Sequence, residues 1–425
     1  MDAQTSTTLD ISPDAEQALV AGARSLQPVQ GLTHGFYKYP ARFSPCFARG
    51  AIEAFTEPGD WVLDNHVGGG TTLVEALALG RHSAGADISA LAEFVAKAKT
   101  TLLADEEFVR LERWVADLPL ALNLRKPSIY FDEYDELGYY RHLDDASRWR
   151  LRKAIEQGLG AAIALRSARL EAFGRCAVLR AAQWALDGRR NLPSFGEFRS
   201  MLVETARQMI DGARELTAAV GADRTEVRIL HCDAAGLHED AVISQLPPPR
   251  LLLTSPPYPG VHVLYHRWQV DGRKEAPLPF LIANKLDGAG SSYYTMGDRK
   301  FPELRTYFEN IRASMASAAQ IADDRTVVVQ MVAFSDSSWQ LGLYLETMEK
   351  AGFTEAFLPS MLGCADGRLW RAVPNRRWYS QQRGKTAGSK EVVLIHRKSV
   401  TTTPSLTPGH RCHPLPEIGL PDQGT

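Results

Sequence analysis

Residues 251–258 have the clearest chemical pattern in the chain and read Leu-Leu-Leu-Thr-Ser-Pro-Pro-Tyr. Because proline has no N–H, an apolar strand that reaches Pro256 and Pro257 stops pairing, and its last carbonyls lose their ladder partners. Ser255 Oγ and the Pro256 carbonyl then become acceptors at the carboxyl edge of a sheet, with the Tyr258 ring beside them. Two acceptors and an aromatic face fit a planar ligand that carries an exocyclic amino group. The competing interpretation is a strand that merely ends at proline, with Tyr258 in the core.

A glycine-rich turn is the second chemical feature. Residues 64–72 read Asp-Asn-His-Val-Gly-Gly-Gly-Thr-Thr and separate a short apolar run from a helical pattern. Glycines let the backbone approach a ligand closely, and a helix N-terminus offers N–H groups. A phosphate loop would need a lysine here, and a dinucleotide fingerprint would need glycine where Leu73 stands. Both are excluded, which leaves an adenosine-type site.

Acidic residues end the strands on either side of this turn. Asp64 can face a ligand cation such as a sulfonium, and Asp87, about twenty residues further on, suits a ribose diol. Asp233 closes a later strand and can accept a hydrogen bond from an adenine amino group. The alternative is a plain glycine-rich turn with Asp87 as a helix cap. The cofactor-binding residues predicted around the turn are Asp64, Gly68, Gly70, Thr71, Thr72, Asp87 and Asp233.

The elements that position these residues follow a β-α-β-α pattern from residue 61 to residue 100. With glycines at the first turn, this pattern predicts an α/β fold whose parallel sheet binds ligands at its carboxyl edge. Residues 101–225 are rich in Ala, Leu, Glu and Arg at helical spacing, with breaks at Pro119, Pro127 and Pro193, and are interpreted as a helical insertion. Strand patterns resume at 226–231, 250–254, 325–332 and 391–396, with helices at 303–322 and 339–351. Residues 1–30 are expected to be a partly disordered leader with a short helix, and residues 400–425 a disordered tail.

Composition narrows the function classes. The 425 residues are 44% hydrophobic and 23% charged, with a net charge of −2, so a polyanionic partner must meet a local basic surface. No apolar run is long enough to span a bilayer, and no secretory signal is visible, so we expect a cytoplasmic protein that does not engage a membrane. The five cysteines lie far apart without a C-x-x-C pair, which argues against disulfides and a zinc site. We expect no metal.

The motifs together resemble the S-adenosylmethionine-dependent DNA amino-methyltransferases. Residues 254–258 resemble their catalytic motif in the form typical of the cytosine-N4-specific branch, and residues 64–72 resemble their cofactor loop. Asn65 and His66 depart from the usual Pro and Phe of that loop. Residues 34–43 resemble the segment that helps to hold the methionine moiety, which adds Tyr37, Pro40 and Phe43 to the predicted cofactor-binding residues.

This resemblance covers roughly residues 31–100 and 226–399 and implies a Rossmann-like catalytic domain with a mostly parallel seven-stranded sheet, helices on both faces and the helical insertion as a candidate target-recognition region. It implies that S-adenosylmethionine methylates cytosine N4 in a flipped-out DNA base, with Ser255, Pro256, Pro257 and Tyr258 as catalytic residues. Three alternatives stay open: methylation of adenine N6 in DNA, methylation of a base amine in RNA, and a catalytically silent DNA-binding regulator. So does the question of a restriction endonuclease partner.

Basic residues suggest where a nucleic acid would lie. Residues 368–390 hold many arginines and lysines with interleaved Trp370, Trp378 and Tyr379, which favours phosphate contact over a merely solvated loop. Residues 263–268 mix aromatic and basic side chains. They are interpreted either as the lining of the entrance for the target base or as ordinary packing. A second basic cluster around Trp149 is interpreted as a solvated helix face. The predicted DNA-binding residues are Arg267, Arg371, Arg376, Arg377, Arg383 and Lys385.

Overall fold

The computed structural model describes residues 7–39, 43–127, 131–221, 225–259, 268–270, 274–283, 296–297, 303–364, 366–372 and 390–399. Its strands are β1 (Thr7–Thr8), β2 (Trp61–Asp64), β3 (His82–Asp87), β4 (Val227–His231), β5 (Leu251–Thr254), β6 (Trp268–Val270), β7 (Lys274–Ala276), β8 (Val327–Val332), β9 (Phe353–Phe357), β10 (Leu369–Ala372) and β11 (Lys390–Lys398). Its helices are α1 (Pro13–Arg24), α2 (Pro45–Phe55), α3 (Thr71–Ala78), α4 (Ala90–Thr100), α5 (Asp105–Ala121), α6 (Phe131–Glu136), α7 (Trp149–Ile163), α8 (Ala168–Leu186), α9 (Phe195–Val220), α10 (Leu278–Ala283), α11 (Arg305–Ile321) and α12 (Ser337–Lys350).

One large sheet carries the candidate site. Its seven central strands follow the order β4-β3-β2-β5-β8-β11-β9. The strands from β4 to β8 are parallel, whereas β11 runs antiparallel to both β8 and β9. This order is typical of the Rossmann-like methyltransferase fold, so the predicted fold class is confirmed. Two short strands extend the predicted seven, because β1 pairs with β9 and β10 pairs with β11.

The order of the strands fixes where a ligand can bind. From β2 the chain proceeds outward through β3 and β4, whereas β5 lies on the other side of β2. Loops that leave the carboxyl ends of β2 and β5 therefore diverge to opposite faces and open a crevice between them. The predicted cofactor loop follows β2, and the predicted catalytic motif follows β5.

Side chains that alternate along β5 bury both faces of the sheet. Leu251 and Leu253 share an apolar cluster with Phe47 of α2, whereas Leu252 lies in the cluster that contains Ile311 of α11. All four residues of β5 are buried. A strand that is covered on both faces reads as a continuous apolar run, which is why Leu-Leu-Leu-Thr shows no polar alternation.

The N-terminal residues belong to this architecture. Residues 7–24, which we expected within a partly disordered leader, form β1 at the edge of the sheet and α1, and α1 packs against α2. Gly22 fits this contact closely, because a Cβ there would lie 2.4 Å from the Cys46 carbonyl oxygen. The predicted tail, residues 400–425, lies outside the described residues.

Five helices, α5 to α9, lie between α4 and β4 along the chain. Pro119, which we expected to break a helix, lies in the last turn of α5. A proline near a helix end costs less than one at its centre because fewer backbone hydrogen bonds follow it. These helices share a single apolar cluster with α4 and with residues 36–39. Among the described residues no helix combines the length and apolarity needed to cross a membrane.

Candidate active site

The catalytic motif and the glycine loop meet at one edge of the sheet. Thr254 at the end of β5 donates a hydrogen bond from Oγ1 to Asp64 Oδ1 at the end of β2, over 2.8 Å. Thr72 at the start of α3 donates from Oγ1 to the Leu253 carbonyl oxygen over 3.2 Å. These two hydrogen bonds join segments that lie more than 180 residues apart in the sequence. The residues predicted for the amine and for the cofactor therefore line one crevice.

Asp64 lies in the centre of this junction. Its Oδ1 also accepts a hydrogen bond from the His66 N–H, and only 2% of the residue is exposed. Burial raises the pKa of Asp64 to about 6, against the lowering effect of its hydrogen bonds from Thr254 and the His66 backbone. A carboxylate that is held out of water in this way gains from a nearby cation. The buried acid therefore matches a cationic methyl donor.

The glycine loop (residues 68–70) has a conformation that its sequence explains. Gly68 and Gly70 have φ values of 48° and 74°, in the left-handed region where a side chain is strained. Gly70 immediately precedes α3, so the turn aims the first N–H groups of that helix at the crevice. Lys99 of α4 is completely buried and donates from Nζ to the Gly69 carbonyl oxygen over 2.7 Å. The Lys99 ammonium group thus holds the backbone of the glycine loop in place.

Asp87 and Asp233 follow the next strands along the same edge. Asp87 Oδ2 accepts from the Gly68 N–H over 2.8 Å, and Oδ1 accepts from the Ser89 N–H over 2.9 Å. Asp233 is exposed and caps the turn at residues 234–239 by accepting from the Ala235 N–H. The Cys232 N–H donates to the Asp87 carbonyl oxygen, which keeps the two acids on neighbouring strand ends. Three carboxylates therefore lie in the order Asp64, Asp87, Asp233 along β2, β3 and β4.

Residues 36–39 cover the glycine loop from the side. The Tyr39 ring is so close that a Cβ on Gly69 would lie 3.2 Å from Tyr39 Cβ. Tyr37, predicted to bind the cofactor, is fully buried, and its hydroxyl accepts a hydrogen bond from Trp268 Nε1 over 3.0 Å. The rings of Tyr37 and Tyr39 pack edge to face with centroids 5.5 Å apart. Tyr39, which the sequence reasoning did not single out, thus makes the contact with the loop.

Two other predicted residues of this segment differ in their placement. Phe43 is buried and packs edge to face on Phe47, with ring centroids 5.5 Å apart, in the cluster beneath α1 and α2. Pro40 lies outside the described residues. For Phe43 the structure provides a packing role, and its predicted contact with the cofactor stays a prediction.

The catalytic motif leaves β5 as the sequence suggested, but its hydroxyl groups have protein partners. Ser255 Oγ donates to the Met331 carbonyl oxygen over 3.0 Å and lies 3.5 Å from the Tyr258 hydroxyl. The Tyr258 hydroxyl donates to Glu391 Oε1 over 2.7 Å. Pro256 is buried, whereas Ser255, Pro257 and Tyr258 are half-buried. The two hydroxyl-bearing side chains therefore belong to one hydrogen-bonded group.

Asn65 and His66, which depart from the family pattern, form a polar cluster beside the loop. Asn65 Nδ2 donates to Ser314 Oγ of α11 over 3.1 Å, and Asn65 Oδ1 lies 3.0 Å from His66 Nδ1. Burial lowers the pKa of His66 to about 3, so the ring is neutral at pH 7. The pair ties the start of the loop to α11 through polar nitrogen atoms, which Pro and Phe side chains lack.

The predicted DNA-binding residues divide into two groups. Arg371 lies on β10, where its Nε donates to Glu391 Oε2 over 2.7 Å and its Nη1 donates to the Ala23 carbonyl oxygen over 3.1 Å. Only 7% of its side chain is exposed, so we leave Arg371 out of the proposed DNA contacts. The other predicted residues lie outside the described part of the chain: Arg267, Arg376, Arg377, Arg383 and Lys385.

The described residues contain no group of three or more His, Cys, Asp or Glu side chains placed to hold a metal ion. The site instead offers a buried carboxylate, backbone N–H groups at a helix N-terminus and a row of strand-end acids. This donor set fits a cationic sulfonium nucleoside better than a phosphorylated ligand, because carboxylates repel phosphate.

Comparison with known proteins agrees with this geometry. Residues 22–98 match the N6/N4 methyltransferase family model that is described as "DNA methylase". The type II methyltransferase M.MvaI of Kocuria varians is 35% identical over 105 residues, which are 24% of this chain and 22% of that protein. The chain thus matches less than a quarter of the length of this relative.

Two solved structures align with most of the chain at low similarity. TrmN from Thermus thermophilus has 11% identity and a TM-score of 0.33, with 86% of this chain and 52% of that chain covered. The rRNA methyltransferase aviRa from Streptomyces viridochromogenes has 10% identity and a TM-score of 0.34, with 85% and 89% covered. The sequence match is the more informative finding, since it falls on the site itself. Residues 22–98, which contain β2, the glycine loop and Asp87, are the part of the chain that is similar to the N6/N4 DNA methylase family.

Proposed function

We propose that this protein transfers a methyl group from S-adenosylmethionine to the exocyclic N4 amine of cytosine in DNA. The observation that carries the proposal is the 2.8 Å hydrogen bond between Thr254 of the catalytic motif and Asp64 of the cofactor loop. It brings an amine-binding strand end and a cation-binding acid into one crevice. The motif begins with serine, the form typical of the cytosine-N4 branch, and this supports cytosine over adenine.

The reaction needs a nucleophilic nitrogen, and an aromatic amine is a weak nucleophile because its lone pair is delocalised into the ring. Hydrogen bonds from its N–H groups to Ser255 Oγ and the Pro256 carbonyl favour a pyramidal nitrogen whose lone pair points at the methyl group. The methyl donor would supply an electrophilic carbon on a sulfonium. The N–C bond forms as the S–C bond breaks, the neutral thioether leaves, and the methylated nitrogen releases one N–H proton to water. Positioning of the amine then provides most of the rate enhancement, and no covalent enzyme intermediate is required.

The cofactor would be held by the residues along the strand ends. The Asp64 carboxylate attracts the positive charge, and the N–H groups that follow Gly70 approach the ligand from the start of α3. Asp87 would bind the ribose hydroxyls, and Asp233 would accept a hydrogen bond from the adenine amine. Tyr37 and Tyr39 close the side of the loop and exclude water there.

The target base has to leave the DNA duplex to reach this crevice, at a cost of roughly a few kcal/mol. The half-buried Tyr258 ring is proposed to stack on the flipped base. We propose that phosphate contacts come from the basic residues around 376–385 and that the helical residues 101–225 contribute to target recognition. On α7, Trp149 is 38% exposed, and the Arg150 guanidinium lies 4.9 Å from the centre of its ring.

A direct test is to incubate the protein with labelled S-adenosylmethionine and duplex DNA, digest the product and identify the modified nucleoside. We expect N4-methylcytosine. N6-methyladenine would overturn the base assignment, label in RNA but not in DNA would overturn the substrate, and cofactor binding without transfer would favour a silent DNA-binding regulator.

Ser255→Ala provides the matching prediction for the catalytic motif. Loss of this acceptor should reduce turnover by about 100-fold or more, a size typical for the loss of one preorganised hydrogen-bonding group. Cofactor binding, measured by calorimetry, should stay unchanged because Ser255 does not contact the glycine loop. Full activity of the variant would contradict the role of this hydroxyl.

A further inference from the structure

A chain of polar contacts leads from the proposed catalytic serine into the body of the sheet. Ser255 Oγ lies 3.5 Å from the Tyr258 hydroxyl, which donates to Glu391 Oε1 over 2.7 Å. Glu391 Oε2 accepts from Arg371 Nε over 2.7 Å, and Arg371 also donates to the Ala23 carbonyl oxygen. Glu391 and Arg371 belong neither to the catalytic motif nor to the glycine loop.

The ion pair has a rigid setting. Arg371 and Glu391 are direct cross-strand partners on β10 and β11, and their side chains are 7% and 8% exposed. Register on a sheet fixes both backbones, and the Ala23 carbonyl at the end of α1 holds the guanidinium from a third side. A buried pair of this kind stabilises little by itself, whereas loss of one partner leaves an uncompensated charge. Stability alone therefore does not explain this ion pair beside the crevice.

The pair determines the direction of the hydrogen bonds. A carboxylate that faces a guanidinium can only accept, so the Tyr258 hydroxyl must give its proton to Glu391. Ser255 then has the Met331 carbonyl oxygen at 3.0 Å as its better acceptor. With its proton directed there, Ser255 Oγ presents lone pairs to the crevice. An amine N–H needs exactly such an acceptor, and a serine that donated into the crevice would repel it.

We propose that Glu391, held by Arg371, is a positioning residue for base-amine methylation. It fixes the Tyr258 ring for stacking and keeps Tyr258 from donating to Ser255, so that both lone pairs of Ser255 Oγ stay available to the amine. This inference rests on the proposed function and extends it to residues more than 110 positions away from the motif.

A double-mutant cycle tests the inference, with Glu391→Gln, Tyr258→Phe and the combined variant. Glutamine retains the shape of the side chain but can donate as well as accept, so the fixed direction is lost. We expect Glu391→Gln to lower kcat on duplex DNA by about 10- to 100-fold, the equivalent of one charge-assisted hydrogen bond. The cofactor dissociation constant should not change. In the Tyr258→Phe background, Glu391→Gln should have little further effect on kcat, because its partner is already absent.

The chain provides a matched control in the ion pair of Arg368 and Glu355. Arg368 Nε and Nη2 each lie 2.7 Å from a Glu355 oxygen. Glu355 pairs with His396 on β11, so by the alternation of the strand it lies on the opposite face of the sheet from Glu391. Glu355→Gln should leave kcat unchanged. Tyr258→Phe leaves both ion pairs intact and should reduce kcat even if Glu391→Gln fails to fold.

This design distinguishes failure of the positioning role from failure of the proposed function. A wild-type protein that methylates DNA, combined with equal effects of Glu391→Gln in both backgrounds, would overturn the positioning role alone. Unchanged kcat for Tyr258→Phe would do the same. A wild-type protein that binds the cofactor but methylates no DNA would overturn the proposed function and the positioning role with it.

Discussion

At the scale of single residues, Asp64 combines a structural and an electrostatic role. It accepts hydrogen bonds from Thr254 and from the His66 N–H, and it joins the two strands of the crevice. The same burial that makes these bonds strong also disfavours the charge of its carboxylate. An acid that is poised in this way should stabilise the free protein when protonated and should attract a cation when ionised.

Asp64 should make the free energy of unfolding depend on pH. Burial raises the pKa of Asp64 from 3.8 to about 6 in the folded chain, so between these pH values the folded state binds more protons than the unfolded state. The Asp64 contribution is therefore present below pH 4 and lost as the pH rises through 6. The difference between 3.8 and about 6 corresponds to about 3 kcal/mol of unfolding free energy.

Urea unfolding of wild type and Asp64→Asn at pH 4 and pH 7 measures this effect. The pKa of His66 is lowered to about 3, which makes its contribution opposite in sign over the same range, so the comparison between the two proteins is needed rather than the raw curve. Relative to Asp64→Asn, wild type should lose about 3 kcal/mol between these pH values. Parallel pH profiles would show that the Asp64 carboxyl titrates normally.

At the scale of elements, the local patterns predicted the units that carry the site. The β-α-β-α pattern predicted for residues 61–100 corresponds to β2, α3, β3 and α4. Short elements without a strong pattern were not predicted, such as α2 with its glycine at position 50 and β9 with five residues. Their structure depends on partners from distant parts of the chain, which no local periodicity reveals.

The same limit applies to the site. Ser255, Asp64 and the glycines were predictable because strand ends and turns have local signatures. The Glu391 partner of Tyr258 lies 133 positions away, and Lys99 binds Gly69 from a neighbouring helix. Arg371 was predicted to be an exposed cation because the surrounding sequence is rich in basic residues. Only the register between β10 and β11 shows that it faces Glu391.

The glycine loop can be tested by a single substitution at Gly69. Gly69→Ala places a Cβ 3.2 Å from Tyr39 Cβ and 3.4 Å from Cγ, so either the loop or residues 36–39 must shift. Overpacking of this kind costs about 1–3 kcal/mol. Since the displaced atoms border the proposed cofactor site, the dissociation constant of S-adenosylmethionine should rise by about fivefold to 100-fold.

Gly35→Ala is the matched control, because a Cβ at Gly35 meets no atom within 4 Å. Calorimetric titration with S-adenosylmethionine should give the wild-type affinity for this control. Equal affinities for Gly69→Ala and wild type would mean that the loop does not approach the cofactor at this position.

At the scale of the whole molecule, the inserted helices help to build the site. Residues 36–39, which cover the glycine loop, lie along α8 rather than on the sheet. Gln183 of α8 accepts from the Lys38 N–H over 3.1 Å and donates to the Lys38 carbonyl oxygen over 2.9 Å. Cys176 of α8 contacts the Phe36 carbonyl oxygen with its sulfur at 3.7 Å. A region that was first interpreted as an insertion therefore supports the wall of the proposed cofactor crevice.

Gln183→Leu tests this coupling. The substitution removes both hydrogen bonds to Lys38 while it retains most of the side-chain volume, and each neutral bond contributes about 0.5–1.5 kcal/mol. We expect faster amide hydrogen exchange at residues 36–39 and a several-fold weaker affinity for S-adenosylmethionine. The local opening of this segment should precede global unfolding, since only the crevice wall loses its support.

A second glutamine, Gln157, provides a closely matched control for Gln183→Leu. Gln157 of α7 holds the N–H and the carbonyl oxygen of Asn123 in the same way, with both distances 2.8 Å, but Asn123 follows α5 at the surface. Gln157→Leu should cost similar stability and leave cofactor affinity at the wild-type value. If both variants bound the cofactor equally well, α5 to α9 would be a module that is independent of the crevice. Weaker binding by Gln183→Leu alone would show that the inserted helices became part of the methyl-donor site, so that a region proposed to contact DNA also sets the affinity for the cofactor.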